Sequence, residues 1–170
     1  LTNIVIGVIL AALATHYWRQ QPRSAVFRCW VLAAWIMTLA DILFALRPIL
    51  PHALGRLLPT VCVTIGHAVL YFGARQTAGL KPRWRLAYTV IALHAAGLVV
   101  FLLAGSGSQY RMVFNGVIWG AFSIGSAYCL RRGAPQFWQP SVAPATAFLV
   151  HGAFHGLRVL LAILFAANHW

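Results

Sequence analysis

Acidic side chains are all but missing from this chain: its 170 residues hold one, Asp41, against thirteen Lys and Arg. Paired carboxylates for acid–base chemistry and a carboxylate-rich metal shell are therefore not on offer. Charged residues of either sign make up only 8%, where a soluble domain carries about a quarter. Cysteine is scarce, and Cys29, Cys62 and Cys129 lie far apart with no CxxC pair, which argues against a disulfide framework or a thiolate zinc site. There is no GxSxG nucleophile motif, and position 152 is Gly, so His151 and His155 are not part of an HExxH. No internal repeat or low-complexity segment is present, and Leu1 falls inside an apolar run with no charged n-region or cleavage motif.

What is there is apolar: 61% of the residues are hydrophobic and the mean hydropathy is +0.79. A bilayer core about 30 Å thick needs about 20 such residues per helix. Six stretches qualify, at about 1–17, 29–47, 57–75, 86–104, 110–130 and 141–168. The expected fold is all-α, a polytopic transmembrane bundle of six helices forming one domain over 1–170. The net charge of +12 could suggest nucleic acid, but most of the basic residues sit in short connections, so the lipid bilayer is the expected partner and nucleic acid is not.

Those connections also suggest an orientation. The first, third and fifth carry Arg19, Arg23, Arg28, Arg75, Lys81, Arg83, Arg85, Arg131 and Arg132, while the second and fourth carry Arg47, Arg56 and Arg111. The positive-inside bias puts the odd connections in the cytoplasm, with both ends of the sequence outside. Trp18, Trp30, Trp84, Trp138 and Trp170 fall near helix ends, as an interfacial aromatic belt requires.

Ionisable groups deep in a membrane are costly and mark bundle interiors or cavities. Counted from the cytoplasmic helix ends, His67 and His94 lie about eight residues in, His151 and His155 about nine and thirteen, and Asp41 about twelve; at 1.5 Å per residue these form one layer. His151, His155 and Arg158 follow i, i+4, i+7 and share a helix face; Thr60, Thr64, His67 and Tyr71 form a second polar stripe. Imidazoles on facing helices suit haem b, which takes two axial nitrogens, and equally suit copper or zinc. The candidate ligands are His67 and His151 first, for haem or a metal, with His155 and His94 next. The plain alternative is that each histidine only hydrogen-bonds across helices. Asp41 and Arg158 are expected to pair with one another or to contact a ligand. His16, His52 and His169 sit near helix ends and read as interfacial. Gly116 with Gly120, and Gly152 with Gly156, could serve helix contacts or make room for a flat macrocycle. Tyr110, Asn115 and Trp119 could line the outer half of a pocket or simply pack.

Phe27-Arg28-Cys29-Trp30, Leu46-Arg47-Pro48 with Leu50-Pro51, and Tyr71-Phe72-Gly73-Ala74-Arg75 together resemble the multi-helix membrane sensor region that precedes GGDEF domains in bacterial diguanylate cyclases. In those regions a Trp opens the second helix, Arg with Pro closes it, Gly-x-Arg closes the third, and a late helix carries an Arg, here matched by Arg158. The resemblance spans about residues 27–160. It implies a sensory input domain in the bacterial inner membrane, working as a homodimer and signalling to a cytoplasmic output that makes cyclic-di-GMP. The chain departs from the pattern in carrying no GGDEF sequence, so by itself it reads as no enzyme. An outside C-terminus would also require a seventh helix before any such output. In the family pattern His67, His151 and His155 stand where aliphatic residues are usual. The reading that follows is a sensory or redox input module holding haem b or a metal, with a cofactor-free binding module for a small hydrophobic or anionic ligand as the alternative. A transporter ranks below both, for want of an inverted repeat or a broken-helix pair.

Overall fold

The computed structural model describes residues 2–20, 25–105, 107–132 and 142–167. Six helices follow one another: α1 (Thr2–Gln20), α2 (Ala25–Ala45), α3 (His52–Thr77), α4 (Trp84–Leu103), α5 (Ser108–Arg132) and α6 (Val142–Ala167), and no strand occurs among the described residues. The protein is an all-α helical bundle. Five helices, α2 to α6, are long and apolar enough to cross a membrane, which makes it a multi-pass membrane protein. The sixth expected span, α1, forms as a helix but is not among these five: Asn3 near its start and the run His16-Tyr17-Trp18-Arg19-Gln20 at its end dilute the apolar centre. Trp138, Trp170 and His169 lie outside the described residues.

α3 and α5 run past both of their expected ends, and α1 past its second, because a helix may continue beyond the hydrocarbon layer. Pro59 sits inside α3 without breaking it, which a membrane helix tolerates where neighbours cover the freed backbone. At its other end α3 stops on a glycine. Gly79 has φ +70°, its N–H bonds the Gln76 carbonyl at 3.0 Å, and Leu80 N–H bonds that of Arg75 at 2.8 Å. This pair of bonds is a Schellman stop, and it needs the left-handed backbone that glycine adopts freely. Arg75 then folds back over the turn, donating to the Lys81 carbonyl at 2.8 Å and to Tyr71 Oη at 3.3 Å.

Burial shows which helices are central. Of the apolar spans of α3 and α5, 56% and 50% are buried inside the bundle, against 22%, 17% and 17% for α2, α4 and α6. α3 packs on α2, α4 and α5; α5 packs most extensively on α6; α1 lies against α2. Exposed Leu149, Val150, Phe154, Leu157, Leu160 and Leu161 give α6 the outward face of a helix that meets lipid. α6 makes no extended backbone approach to α2 or α3, and the space left between them is a cleft.

Helices come together at small residues. A Cβ on Gly116 would stand 2.6 Å from Val159 Cγ2, one on Gly152 2.7 Å from Ile124 Cγ1, and one on Gly120 3.4 Å from His155 Cβ, so α5 and α6 meet through these glycines. Gly156, by contrast, has nothing within 4 Å. The two small-residue pairs therefore serve helix contact through Gly116, Gly120 and Gly152 only. Gly116→Val should cost about 1–3 kcal/mol by overpacking, whereas Gly156→Ala should stay within about 0.5 kcal/mol. Unfolding of the detergent-solubilised variants checks the contrast.

Candidate metal centre

Three imidazoles from two helices converge. The Nε2 atoms of His67 on α3 and His151 on α6 are 3.1 Å apart, and those of His155 and His151 are also 3.1 Å apart. One nitrogen from each of the three lies within 4.8 Å of the others. His67 and His155 are buried, at 4% and 3% exposure, while His151 is open to the cleft. The i, i+4 spacing places His151 and His155 on one face of α6, and the approach at Gly120 and Gly152 holds that helix close to α5.

Counting protons over this cluster exposes a conflict. His67 Nδ1 is 2.9 Å from the Val63 carbonyl, which can only accept, so Nδ1 carries the proton and Nε2 presents a bare lone pair. Neutral His151 has one proton and two Nε2 neighbours. If His151 Nε2 is protonated, His155 must keep its proton on Nδ1, a buried nitrogen with no hydrogen-bond partner. If His155 Nε2 donates to His151 instead, the lone pairs of His151 and His67 face one another at 3.1 Å. Every neutral arrangement leaves one group unmet. A cation at the centre would satisfy all three Nε2 lone pairs together, with the His155 proton then on its unpartnered Nδ1.

The surroundings stiffen this arrangement. Trp119 on α5 stacks on the His67 ring, centroids 5.8 Å apart and planes within 9°, and its edge meets His155 at 5.5 Å. Trp119 Nε1 donates to Thr64 Oγ1 at 2.9 Å. The Val63 carbonyl on His67 Nδ1 is the outer partner that fixes a ligating histidine's tautomer and direction.

His94 stands apart from the cluster. Its Nε2 donates to Asn115 Oδ1 at 2.9 Å, and its Nδ1 accepts from Thr64 Oγ1 at 2.8 Å, so both ring nitrogens are already engaged. It is fully buried and stacks near Phe114, and the structure brings it into hydrogen bonding, not toward the other three imidazoles. Thr60 and Thr64 of the expected polar stripe are buried; Thr60 returns its hydroxyl bond to the Arg56 carbonyl at 2.9 Å, while the single hydroxyl proton of Thr64, whose Oγ1 is 3.0 Å from the Thr60 carbonyl, is shared between that oxygen and His94 Nδ1.

The cluster forms part of the wall of the cleft, which measures about 840 Å³ and is lined by α2, α3, α5 and α6 with Asn3 of α1. Trp30, near the start of α2, and Phe148, their rings 5.9 Å apart, line one end. Asp41 and Arg158 line the other end but form no ion pair among the described residues; Arg158 lies over the Phe154 ring at 5.8 Å. The direct pairing expected of them is absent because α2 and α6 are held apart at that level. Tyr110 is exposed and lines a separate apolar groove with Phe101, Phe114 and Ile163. His16 is exposed beside Gln20 at 3.1 Å, and His52 is exposed at the start of α3.

The Thr64–His94–Asn115 links join three helices, so no spacing along the sequence marks them. Arg47, Arg56 and Arg111, which in the sequence stand as orientation signals and, for Arg47, as part of the Arg-Pro motif, share one pocket with Arg158. Compared with protein families, curated proteins and solved structures, the chain matches none of them. Asn115→Leu should leave His94 Nε2 unpaired and cost about 0.5–2 kcal/mol, the range for such bonds within membranes. It should leave the three-histidine cluster intact, as measured by unfolding beside metal binding.

Proposed function

We propose that this protein is a membrane-embedded sensory or redox input module that holds one transition-metal ion, copper or zinc, on Nε2 of His67, His151 and His155. The convergence of three imidazole nitrogens from two helices is the observation that carries this reading. Tetrahedral zinc with Zn–N bonds of about 2.0–2.1 Å sets its ligand nitrogens about 3.3–3.4 Å apart; two of the three separations here are 3.1 Å, and all lie within 4.8 Å. An all-imidazole set suits copper as well, and would give the site a one-electron couple.

Haem b fits this geometry less well. Its two axial nitrogens stand on opposite faces of the macrocycle with iron between them. Here the nitrogens of His67 and His151 are at hydrogen-bonding distance, their rings 5.3 Å apart and 21° from parallel, with no gap for a macrocycle plane. The open side of His151 leaves one direction of approach for a further ligand or an exchanging ion.

The metal would tie α6 to α3, two helices that otherwise make no extended backbone approach. Loss, exchange or redox change of the ion then alters the position of α6, a bistable element of the kind that switching requires. The resemblance of residues 27–160 to sensor regions preceding GGDEF domains supports placing the chain in a bacterial inner membrane, as a homodimer with a cytoplasmic signalling output. A cofactor-free reading draws on the cleft itself: about 840 Å³ falls within the roughly 300–1,000 Å³ of small-molecule sites, and Asp41 and Arg158 would orient the guest.

The purified protein should hold one equivalent of copper or zinc per chain by elemental analysis. His67→Ala or His151→Ala should lower affinity at least tenfold, while His94→Gln keeps it. Acidification should release the ion, because protonated imidazole cannot ligate. A Soret band in place of these metals would restore haem, and a metal-free, colourless protein that takes up neither ion would leave the cofactor-free reading.

A further inference from the structure

A second pocket adjoins the cleft, independent of the histidine cluster. It measures about 400 Å³ and lies at the end of the bundle opposite the connections that hold most of the basic residues. Arg47 follows α2, Arg56 is one turn into α3, Arg111 is in the first turn of α5, and Arg158 reaches it from α6; all four line it. Arg47 and Arg111 act on Arg56 as like charges. The chain's one acid, Asp41, lines the neighbouring cleft and not this pocket.

Among the described residues no acidic group lines this pocket, and only Arg158 meets an aromatic face, that of Phe154 at 5.8 Å. Among the described residues none of the four guanidinium groups donates a hydrogen bond to a protein acceptor or forms an ion pair. Arg56 Nε is enclosed without a partner. Arginine keeps its proton in any protein environment, so the repulsion cannot be relieved by deprotonation. Leu57, Leu98, Leu102 and Phe44 form apolar walls that keep the local dielectric low, which strengthens both the repulsion and the pull on an anion. Asn115 and Ser108 add neutral polar groups at the rim.

We propose that this pocket binds a phosphate group. A multivalent oxyanion is what four uncompensated guanidiniums need, and tetrahedral phosphate oxygens accept the paired N–H bonds that the planar fork of arginine presents. The group could arrive as the headgroup of an anionic phospholipid or as free inorganic phosphate. Both satisfy the same donors, and apolar walls beside the arginines would accommodate the first acyl carbons of a lipid.

The site also touches the polar interior. Asn115 lines the pocket and holds His94, while Trp119 and Arg158 line both the pocket and the cleft. Occupancy would therefore hold the α2, α3, α5 and α6 segments together at this end.

The test uses the full chain in detergent and in nanodiscs. Inorganic phosphate is titrated by calorimetry at fixed ionic strength, and retention of phosphatidylglycerol against phosphatidylcholine is read by native mass spectrometry. Binding of one equivalent in either arm supports the proposal and names the source. Arg111→Gln and Arg56→Gln should each weaken it at least tenfold, and Arg132→Gln, at the other end of the bundle, should not. Absence of phosphate binding together with equal retention of the two lipids by the unsubstituted protein would overturn it. So would binding that Arg111→Gln and Arg56→Gln leave unchanged in folded protein. Since the readouts do not involve the histidines, they stand whether or not a metal binds there.

Discussion

Three imidazole Nε2 atoms from α3 and α6 that meet within an apolar bundle constrain this structure more than any other feature. In water such a cluster would be relieved by solvent or by protonation; within an apolar bundle neither comes cheaply. The surrounding architecture keeps the arrangement in place. Gly116, Gly120 and Gly152 let α6 sit close to α5, the Val63 carbonyl turns His67 so that Nε2 faces inward, and the Trp119 ring lies flat against it. α3 and α6 hardly meet through their backbones; both pack on α5, and the histidines bridge the space between them.

Satisfaction of polar groups separates the histidines into two kinds. His94 is the more deeply buried of the two on α3 and α4, yet it is quiet: Thr64 and Asn115 complete its hydrogen bonding, and Thr64 in turn accepts from Trp119. That network is structural glue between α3, α4 and α5. His67, one helical turn from Thr64, has only one of its nitrogens met by backbone. The same arithmetic distinguishes the arginines. Arg75 is met by Tyr71 and the Lys81 carbonyl, whereas the four around the second pocket have no protein acceptor among the described residues.

Much of the fold was legible because the solvent dictates it: continuous apolar stretches can only be helices in a bilayer, and turn residues mark their ends. α1 was the exception, since Asn3 and the polar run from His16 weaken a segment whose centre is strongly apolar. In the site, helical spacing alone put His151, His155 and Arg158 on one face. It could not say that His67 meets them while His94 does not, because both lie at similar depth and periodicity carries no record of helix order around the bundle. Arg47, Arg56 and Arg111 were hidden for a related reason: their positions in connections explain them as orientation signals, and only tertiary structure brings them to Arg158. Trp30, near the start of α2, also packs on Phe148 at the cleft, a contact between helices that spacing along the sequence does not record.

The most direct test of the account is X-ray absorption at the copper and zinc edges of protein purified from cells supplied with both metals. The account predicts a bound ion with about three imidazole nitrogens at about 2.0 Å, the distance typical of metal–histidine bonds, and loss of that scattering pattern in His151→Ala. An ion coordinated without imidazole, or protein in which neither edge rises above background, would contradict it.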